Sequence, residues 1–376
     1  MSYRVLRYIA FLGLLAGVHL WLVATGKPAA SQPELLYTLR GHESPITNLS
    51  FSPAGDLLAT GSEDGTAKLW DLRSGRLVRT LRGHAGTVGS VAFAPGGRTL
   101  ATGGADGTVK LWDAASGRLL RTLPDGGYPV AFSPNGRLLA AASGNAVNLW
   151  NTRSWHLLTT LRGSDFPPGG PSLGCQLAIG QIAFAPDGKS LATVESVYCG
   201  GTPGPPEDFV QLWDATTWRV RRSLIEPPAE RKHVAFAPDG RQLAVGGGWI
   251  VQGDVLLWNT ATGKVRSLGS GQEDQASSIA YDPRGRWVAL ASADDVTFVS
   301  VSSGRQVFLV RAEGLVAGIE GGLVSGIDQE MAVSPDGSLL GAARVDDAVE
   351  VWRLPASLQG ARVLARAERP AAPLTP

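Results

Sequence analysis

The stretch Phe51-Ser-Pro-Ala-Gly-Asp-Leu-Leu-Ala-Thr-Gly-Ser-Glu-Asp-Gly-Thr-Ala-Lys-Leu-Trp70-Asp71 recurs 42 residues later as Phe93-Ala-Pro-Gly-Gly-Arg-Thr-Leu-Ala-Thr-Gly-Gly-Ala-Asp-Gly-Thr-Val-Lys-Leu-Trp112-Asp113. Further copies begin at Phe132, Phe184 and Phe236 and end at Trp150-Asn151, Trp213-Asp214 and Trp258-Asn259. Two degenerate copies follow: Tyr281-Asp-Pro-Arg-Gly leads to Phe298-Val299, where the Trp is lost, and Val333-Ser-Pro-Asp-Gly leads to Val351-Trp352. Seven units result, and six of the eleven Trp residues share one repeat position. Within a unit, an apolar run ending in Ala-Phe, a Leu-Ala-Thr run, a Lys-Leu-Trp run and an Arg-Leu-Val-Arg-Thr-Leu run are separated by Pro-x-Gly, Gly or Asp, and Ser-Gly turns. This punctuation reads as four short strands, a to d.

Composition agrees. The chain has 376 residues, 44% hydrophobic and 18% charged, so it can bury a core and is not a disordered tail. Forty-eight Gly and 24 Pro exclude a helical bundle, and they lack the three-residue period of collagen. Removing Arg4, Arg7 and Lys27, the only charges before Glu34, leaves 31 basic against 33 acidic side chains. A chain so close to neutral is poorly suited to counterion-driven nucleic-acid binding, and no nucleic-acid partner is expected.

Repeats of this length with Gly-His and Trp-Asp signatures resemble the WD-repeat family over roughly Leu35 to Ala367, strongly in the first two units and more weakly afterwards. The resemblance implies an all-β fold, a seven-bladed β-propeller of four-stranded antiparallel blades, here preceded by one N-terminal apolar helix. It also implies a buried hydrogen-bonded tetrad in a unit, formed by a His before strand a, a Ser/Thr in strand b, an Asp in the b–c turn and the strand-c Trp. Those positions hold His42, Thr60, Asp64 and Trp70, then His84, Thr102, Asp106 and Trp112. The third unit carries Ala141 and Asn145 instead and lacks the Gly-His. Ring closure has two candidates. Leu35 to Leu39, whose spacing to Gly41-His42 is intact, is favoured over Arg362 to Ala365 as the outer strand of the seventh blade.

The domain reading is a signal segment over residues 1–26, a linker over 27–33, the propeller over 34–368 and a Pro/Ala-rich tail over 369–376. Tyr8 to Thr25 is an uncharged run of 18 residues preceded by Arg4 and Arg7. It is long enough to span a bilayer, and an uncleaved anchor is the expectation, with the propeller outside by the positive-inside bias. Cleavage near Ala24-Thr25-Gly26, giving a secreted protein, is the alternative. Twenty-eight Arg against six Lys, with abundant Ala, Gly and Pro, point to a GC-rich bacterial source and hence to an inner-membrane anchor with the propeller in the periplasm or at the cell exterior.

No catalytic constellation emerges. His19 lies in the apolar run, His42 and His84 belong to the tetrads, and His156 and His233 have no second His or Cys at ligand spacing. There is no zinc-protease, nucleophile-elbow or phosphate-loop motif. Neither cofactor nor metal is expected, and the expected function is a non-catalytic protein-interaction scaffold. A propeller enzyme or small-ligand receptor with its site at the channel mouth is the alternative.

Candidate partner surfaces are the places where units deviate. Trp155 and Trp218 replace the c–d turn Gly in two neighbouring units, as an exposed aromatic patch or as packing over their own hairpins. The duplicated apolar loop Gly314 to Ile327 contributes Leu315, Val316, Leu323 and Val324, for binding or for packing. The fourth unit carries Gly/Pro-rich insertions at Gly163 to Gly174 and Tyr198 to Asp208. In that unit Cys175 falls on the tetrad His position and Cys199 two residues past the Asp position, so a disulfide between them is expected in an oxidising compartment. Two unpaired thiols are the alternative.

Overall fold

Each apolar run of the repeat becomes one strand, because the Ser/Ala-Pro-x-Gly and Asp-x-x-x-Gly segments between them fold as tight turns. In the first, Gly55 donates its N–H to the Ser52 carbonyl at 2.8 Å and takes a left-handed φ of 72°. In the second, Asp71 Oδ1 accepts the N–H groups of Arg73 and Ser74, so the Asp that follows the repeat Trp holds the c–d turn. Asp113, Asn151, Asp214 and Asn259 make equivalent bonds in their own turns.

The computed structural model describes residues 33–162, 175–199, 207–224, 233–246, 255–268, 278–291, 295–311, 331–344 and 346–359. The 28 strands among them form seven four-stranded antiparallel sheets, the blades of a β-propeller. In blade one, strands a to d are Ile46–Phe51, Leu57–Ser62, Thr66–Asp71 and Arg76–Arg82. Blades two to six repeat the arrangement in chain order.

The N-terminal strand Glu34–Arg40 closes the seventh blade. It pairs antiparallel with strand c, Ala348–Arg353, and so forms one sheet with Leu339–Ala343 and Met331–Val333. Both ends of this seam are clasped by ion pairs, Arg353 to Glu34 at 2.5 Å and Arg40 to Asp346 at 2.8 Å. These charges are exposed and contribute little energy. The backbone ladder between residues more than 300 apart is what shuts the ring.

The core lies between blades, since each strongly twisted sheet packs face to face on the next. Leu69 and Leu81 of blade one meet Val91, Leu100 and Trp112 of blade two, and the clusters that follow join two to three, three to four, four to five and five to six in the same way. Leu39, Val349 and Val351 of blade seven pack in the same way against Leu49, Leu58 and Trp70 of blade one.

The compact unit holding the propeller runs from Pro33 to Leu354. Met1–Gln32 and Pro355–Pro376 make up a second unit, whose described part carries a short helix at Ala356–Gln359. The expected N-terminal apolar helix, the propeller boundary at residue 368 and the tail over 369–376 lie outside the described residues. Among the described residues no helix is long and apolar enough to cross a membrane.

Candidate interaction surfaces

The most polar part of each early blade is used internally. With the proton on Nδ1, His42 donates to Asp64 Oδ2 at 2.7 Å and accepts the Thr60 hydroxyl at Nε2, also at 2.7 Å. Thr60 Oγ1 in turn accepts the Trp70 indole N–H at 3.0 Å. Blade two repeats the chain through His84, Asp106, Thr102 and Trp112 at 2.8 to 3.1 Å. This tautomer pairs the buried polar atoms of all four side chains.

Burial lowers the pKa of both imidazoles, although their aspartates pull the other way, so the rings are held neutral. For Asp64 and Asp106 burial opposes ionisation. Hydrogen bonds from Thr66 and His42, and from Thr108, Ala85 and His84, outweigh it and hold the carboxyls at about 2. The close fit extends to the backbone: a Cβ on Gly104 would stand 2.2 Å from His84 Nδ1, so only glycine is accommodated there.

Later blades solve the same problem differently. In blade four Trp213 still donates to Thr193 at 3.0 Å, but Thr193 passes its hydroxyl proton to Glu195 Oε1 at 3.1 Å. Glu195 is 1% exposed, and burial raises its carboxyl to about 7 against the Thr193 hydrogen bond. In blade seven Trp352 donates to Glu350, whose other oxygen takes Arg344 at 2.7 Å. Blade six, where the repeat Trp is absent, packs Trp287 edge-on against Phe298 with centroids 4.9 Å apart. In blade three Asn148 bonds the Asp125 carbonyl at 2.6 Å and accepts Thr160 at 2.7 Å.

A second set of polar residues lines the central channel. Three residues before the strand-a Phe, a β-bulge precedes Asn48, Ser90 and Gln181. Each of these side chains accepts an N–H from strand a of the next blade: Asn48 from Val91 at 2.8 Å, Ser90 from Val130 at 3.2 Å, and Gln181 from Val234. They latch neighbouring blades at the axis. Ser50, Ala92, Ala131 and these latch residues border about 670 Å³ of open space, and Gln181 Nε2 has no partner there.

Trp155 and Trp218 are not an exposed pair. Both sit in the left-handed region, φ 59° and 54°, where other blades use Gly, and both are half-buried. Trp155 packs against the cluster containing Leu123 of blade two, and Trp218 against that containing Leu161 of blade three. Each indole therefore fills the seam to the preceding blade's outer strand, and this contact offsets a backbone cost of order 1 kcal/mol or more.

Strands a and b of blade four extend to Cys175–Phe184 and Ser190–Cys199, and their register sets Cys175 opposite Cys199. Leu315, Val316, Leu323 and Val324 lie outside the described residues, as do most of the two blade-four insertions. Among the described residues no group of three His, Cys, Asp or Glu side chains could hold a metal ion.

Three stretches match the WD40 family, "WD domain, G-beta repeat". They are residues 33–71, 75–113 and 130–151, which contain both tetrad blades and the start of the third. Parts of the chain are also similar to curated proteins, one of them named for its WD repeats. A 158-residue stretch is 27% identical to the Periodic tryptophan protein 2 homolog of Schizosaccharomyces pombe, covering 41% of this chain and 15% of that protein. Over 174 residues the chain is 26% identical to the WD repeat-containing protein slp1 of the same organism, covering 46% and 32%. Over 63 residues it is 44% identical to the Nuclear distribution protein PAC1 of Cryptococcus neoformans, covering 15% and 14%. The chain thus spans no more than about a third of the length of these curated relatives. All three are eukaryotic, so they lend no support to the bacterial source read from composition, and none of their names denotes a reaction.

Proposed function

We propose that the chain is a non-catalytic WD-repeat propeller that serves as a protein-interaction platform, exported and tethered to the membrane by Tyr8 to Thr25. The observation that carries this reading is where the reactive side chains are spent. His42 and His84, with Asp64 and Asp106, are committed to one another inside the blades, which leaves loops and outer strands to face a partner. Such a ring binds through loop sequence and needs no chemical group. Protein partners fit this reading, as does the naming of the relatives for nuclear distribution and for repeats. The tether and the bacterial periplasm are supported by the uncharged run behind Arg4 and Arg7 and by the Arg bias.

The test is affinity capture of the tagged full chain from solubilised membranes, beside a variant whose insertion Gly163 to Gly174 is replaced by a short Gly-Ser linker. A specific partner that co-purifies with the parent and is lost with the variant supports the reading. Equal recovery of background proteins from both, with both chains folded, contradicts it. A small-ligand reading has one observation in its favour, the unpartnered Gln181 Nε2 beside the cavity that the latch residues border. It predicts that a metabolite raises the melting temperature and that Gln181→Leu abolishes the rise.

A further inference from the structure

The outer strands carry a one-sided apolar feature. Seven and eight residues after the repeat Trp, blades one, two and three expose adjacent pairs, Leu77 and Val78, Leu119 and Leu120, Leu157 and Leu158, each 40 to 54% exposed. Blade seven, next to blade one, exposes Leu35 on the strand paired with Trp352. The pattern stops there. Blades four and five have half-buried Val220 and Val265 followed by exposed Arg221 and Arg266, and blade six shows a single exposed Val307.

The exposed pairs are set among cations. Arg76 and Arg79 flank the pair of blade one and Arg118 and Arg121 that of blade two, all exposed. On the four strands Glu34–Arg40, Arg76–Arg82, Leu119–Leu123 and Leu157–Arg162, the basic residues are Arg40, Arg76, Arg79, Arg82, Arg121 and Arg162, and the acid is Glu34, which Arg353 neutralises. Asp346 pairs with Arg40, and Arg79 also bonds the Val78 and Ala115 carbonyls, so Arg76, Arg82, Arg121 and Arg162 give the excess, and in a chain of 34 basic and 33 acidic residues this rim is net positive.

We propose that the outer edge of blades seven, one and two is a docking surface for an anionic lipid bilayer, with the Leu pairs entering the interfacial layer and the guanidinium groups reaching lipid phosphates. Adjacent Leu and Arg suit this occupant, since arginine keeps its stem along apolar surface while its head meets phosphate. The length of chain ahead of the propeller is compatible with this edge. The uncharged run ends at Thr25, nine residues before Glu34 opens the outer strand of blade seven, a span of about 30 Å at full extension. This inference rests on the tether of the proposed function and specifies which side of the propeller it presents to the membrane.

The test uses the full chain in lipid nanodiscs of phosphatidylcholine alone or with phosphatidylglycerol, some lipids bearing a nitroxide quencher. A fluorophore is placed by Thr122→Cys on the blade-two rim or by Ser267→Cys on the blade-five rim. Docking predicts several-fold stronger quenching at position 122 than at 267 on the anionic discs, and no difference on the neutral ones. Arg118→Gln with Arg121→Gln should lower the docking equilibrium constant about twenty-fivefold, at about fivefold per arginine, with the melting temperature unchanged. Retention on both discs with equal quenching at the two positions overturns the docking surface while the tether stands, and leaves this rim to an acidic protein or a second copy of the chain. Retention on anionic discs only, lost at high salt, with position 122 the closer, supports the docking surface and removes the tether. Retention on neither overturns both.

Discussion

Replacing Asp64 by Ala removes one carboxylate and leaves four donors without their acceptor. Asp64 Oδ2 accepts His42 Nδ1 at 2.7 Å and the Glu43 N–H at 3.2 Å, while Oδ1 accepts the Thr66 N–H at 2.8 Å and its hydroxyl at 2.6 Å. The Glu43 amide can turn to water at little cost. The His42 side chain is 1% exposed and cannot, so its orphaned N–H costs about 1 to 3 kcal/mol. Losing the charge-assisted bonds to Thr66 adds about 1.5 to 3 kcal/mol. The expected loss is therefore about 2.5 to 6 kcal/mol, or about 5 to 12 °C in melting temperature at roughly 2 °C per kcal/mol for a domain this large. Asn145→Ala is the matched control: it sits at the same turn of blade three, exposed and with no histidine to hold, and should change stability by less than about 0.5 kcal/mol. Calorimetry and urea titration of both variants give the comparison, and amide exchange should show blade one opening first. If Asp64→Ala melted with the control, the tetrad would be a by-product of packing and not a support of the blade.

Three further outcomes follow from other blades. Burial raises Glu195 to about 7 from 4.5, so its contribution is full below pH 4.5 and is lost as pH rises toward 7; Glu195→Gln should be more stable than the parent by on the order of 3 kcal/mol at pH 8 and equal to it at pH 4, and equal stability at pH 8 would refute this. The tetrads titrate in the opposite sense: the lowered imidazoles lose stability as pH falls below 6.5, and the lowered aspartates lose it between 3.8 and about 2. Directly opposed residues of an antiparallel pair have Cα atoms about 4.5 to 5.5 Å apart, within disulfide range, so protein from an oxidising compartment should show no free thiol at Cys175 or Cys199 on titration in denaturant, and reduction should cost roughly 3 to 4 kcal/mol; two titratable thiols would count against the bond. Deleting Glu34 to Arg40 unpairs the edge of Ala348–Arg353 and opens the ring, and a truncated propeller that melts with the parent would mean another strand closes it.

The blade count was legible because the turns are local. Pro-x-Gly and Asp-x-x-x-Gly fix strand ends within a few residues, and the Trp marks strand c in six of the seven units. Gly41 to His42 kept its spacing, so the closing strand could be read as well. What a local reading loses is any partnership between blades. Asn48, Ser90 and Gln181 look like irregular polar residues in apolar runs, and only the bulge that turns them onto the next blade gives them a use. Their common position, three residues before the strand-a aromatic, was a signal within reach. Trp155 and Trp218 show the same limit: within one unit they stand over a turn, whereas each packs against a cluster shared with the preceding blade. Glu195 was missed because the tetrad was sought at its usual positions, whereas burial beside Thr193 recruits a carboxyl from within strand b.

The most direct test of the functional account is the side of the membrane on which the propeller lies. A reporter enzyme that becomes active only after export, fused after Pro376 of the full chain and expressed in a bacterial host, should be active and should sediment with membranes. A matching reporter active only in the cytoplasm should be silent. Activity of the cytoplasmic reporter alone would contradict the account, since the surface proposed for partners would then face the wrong compartment.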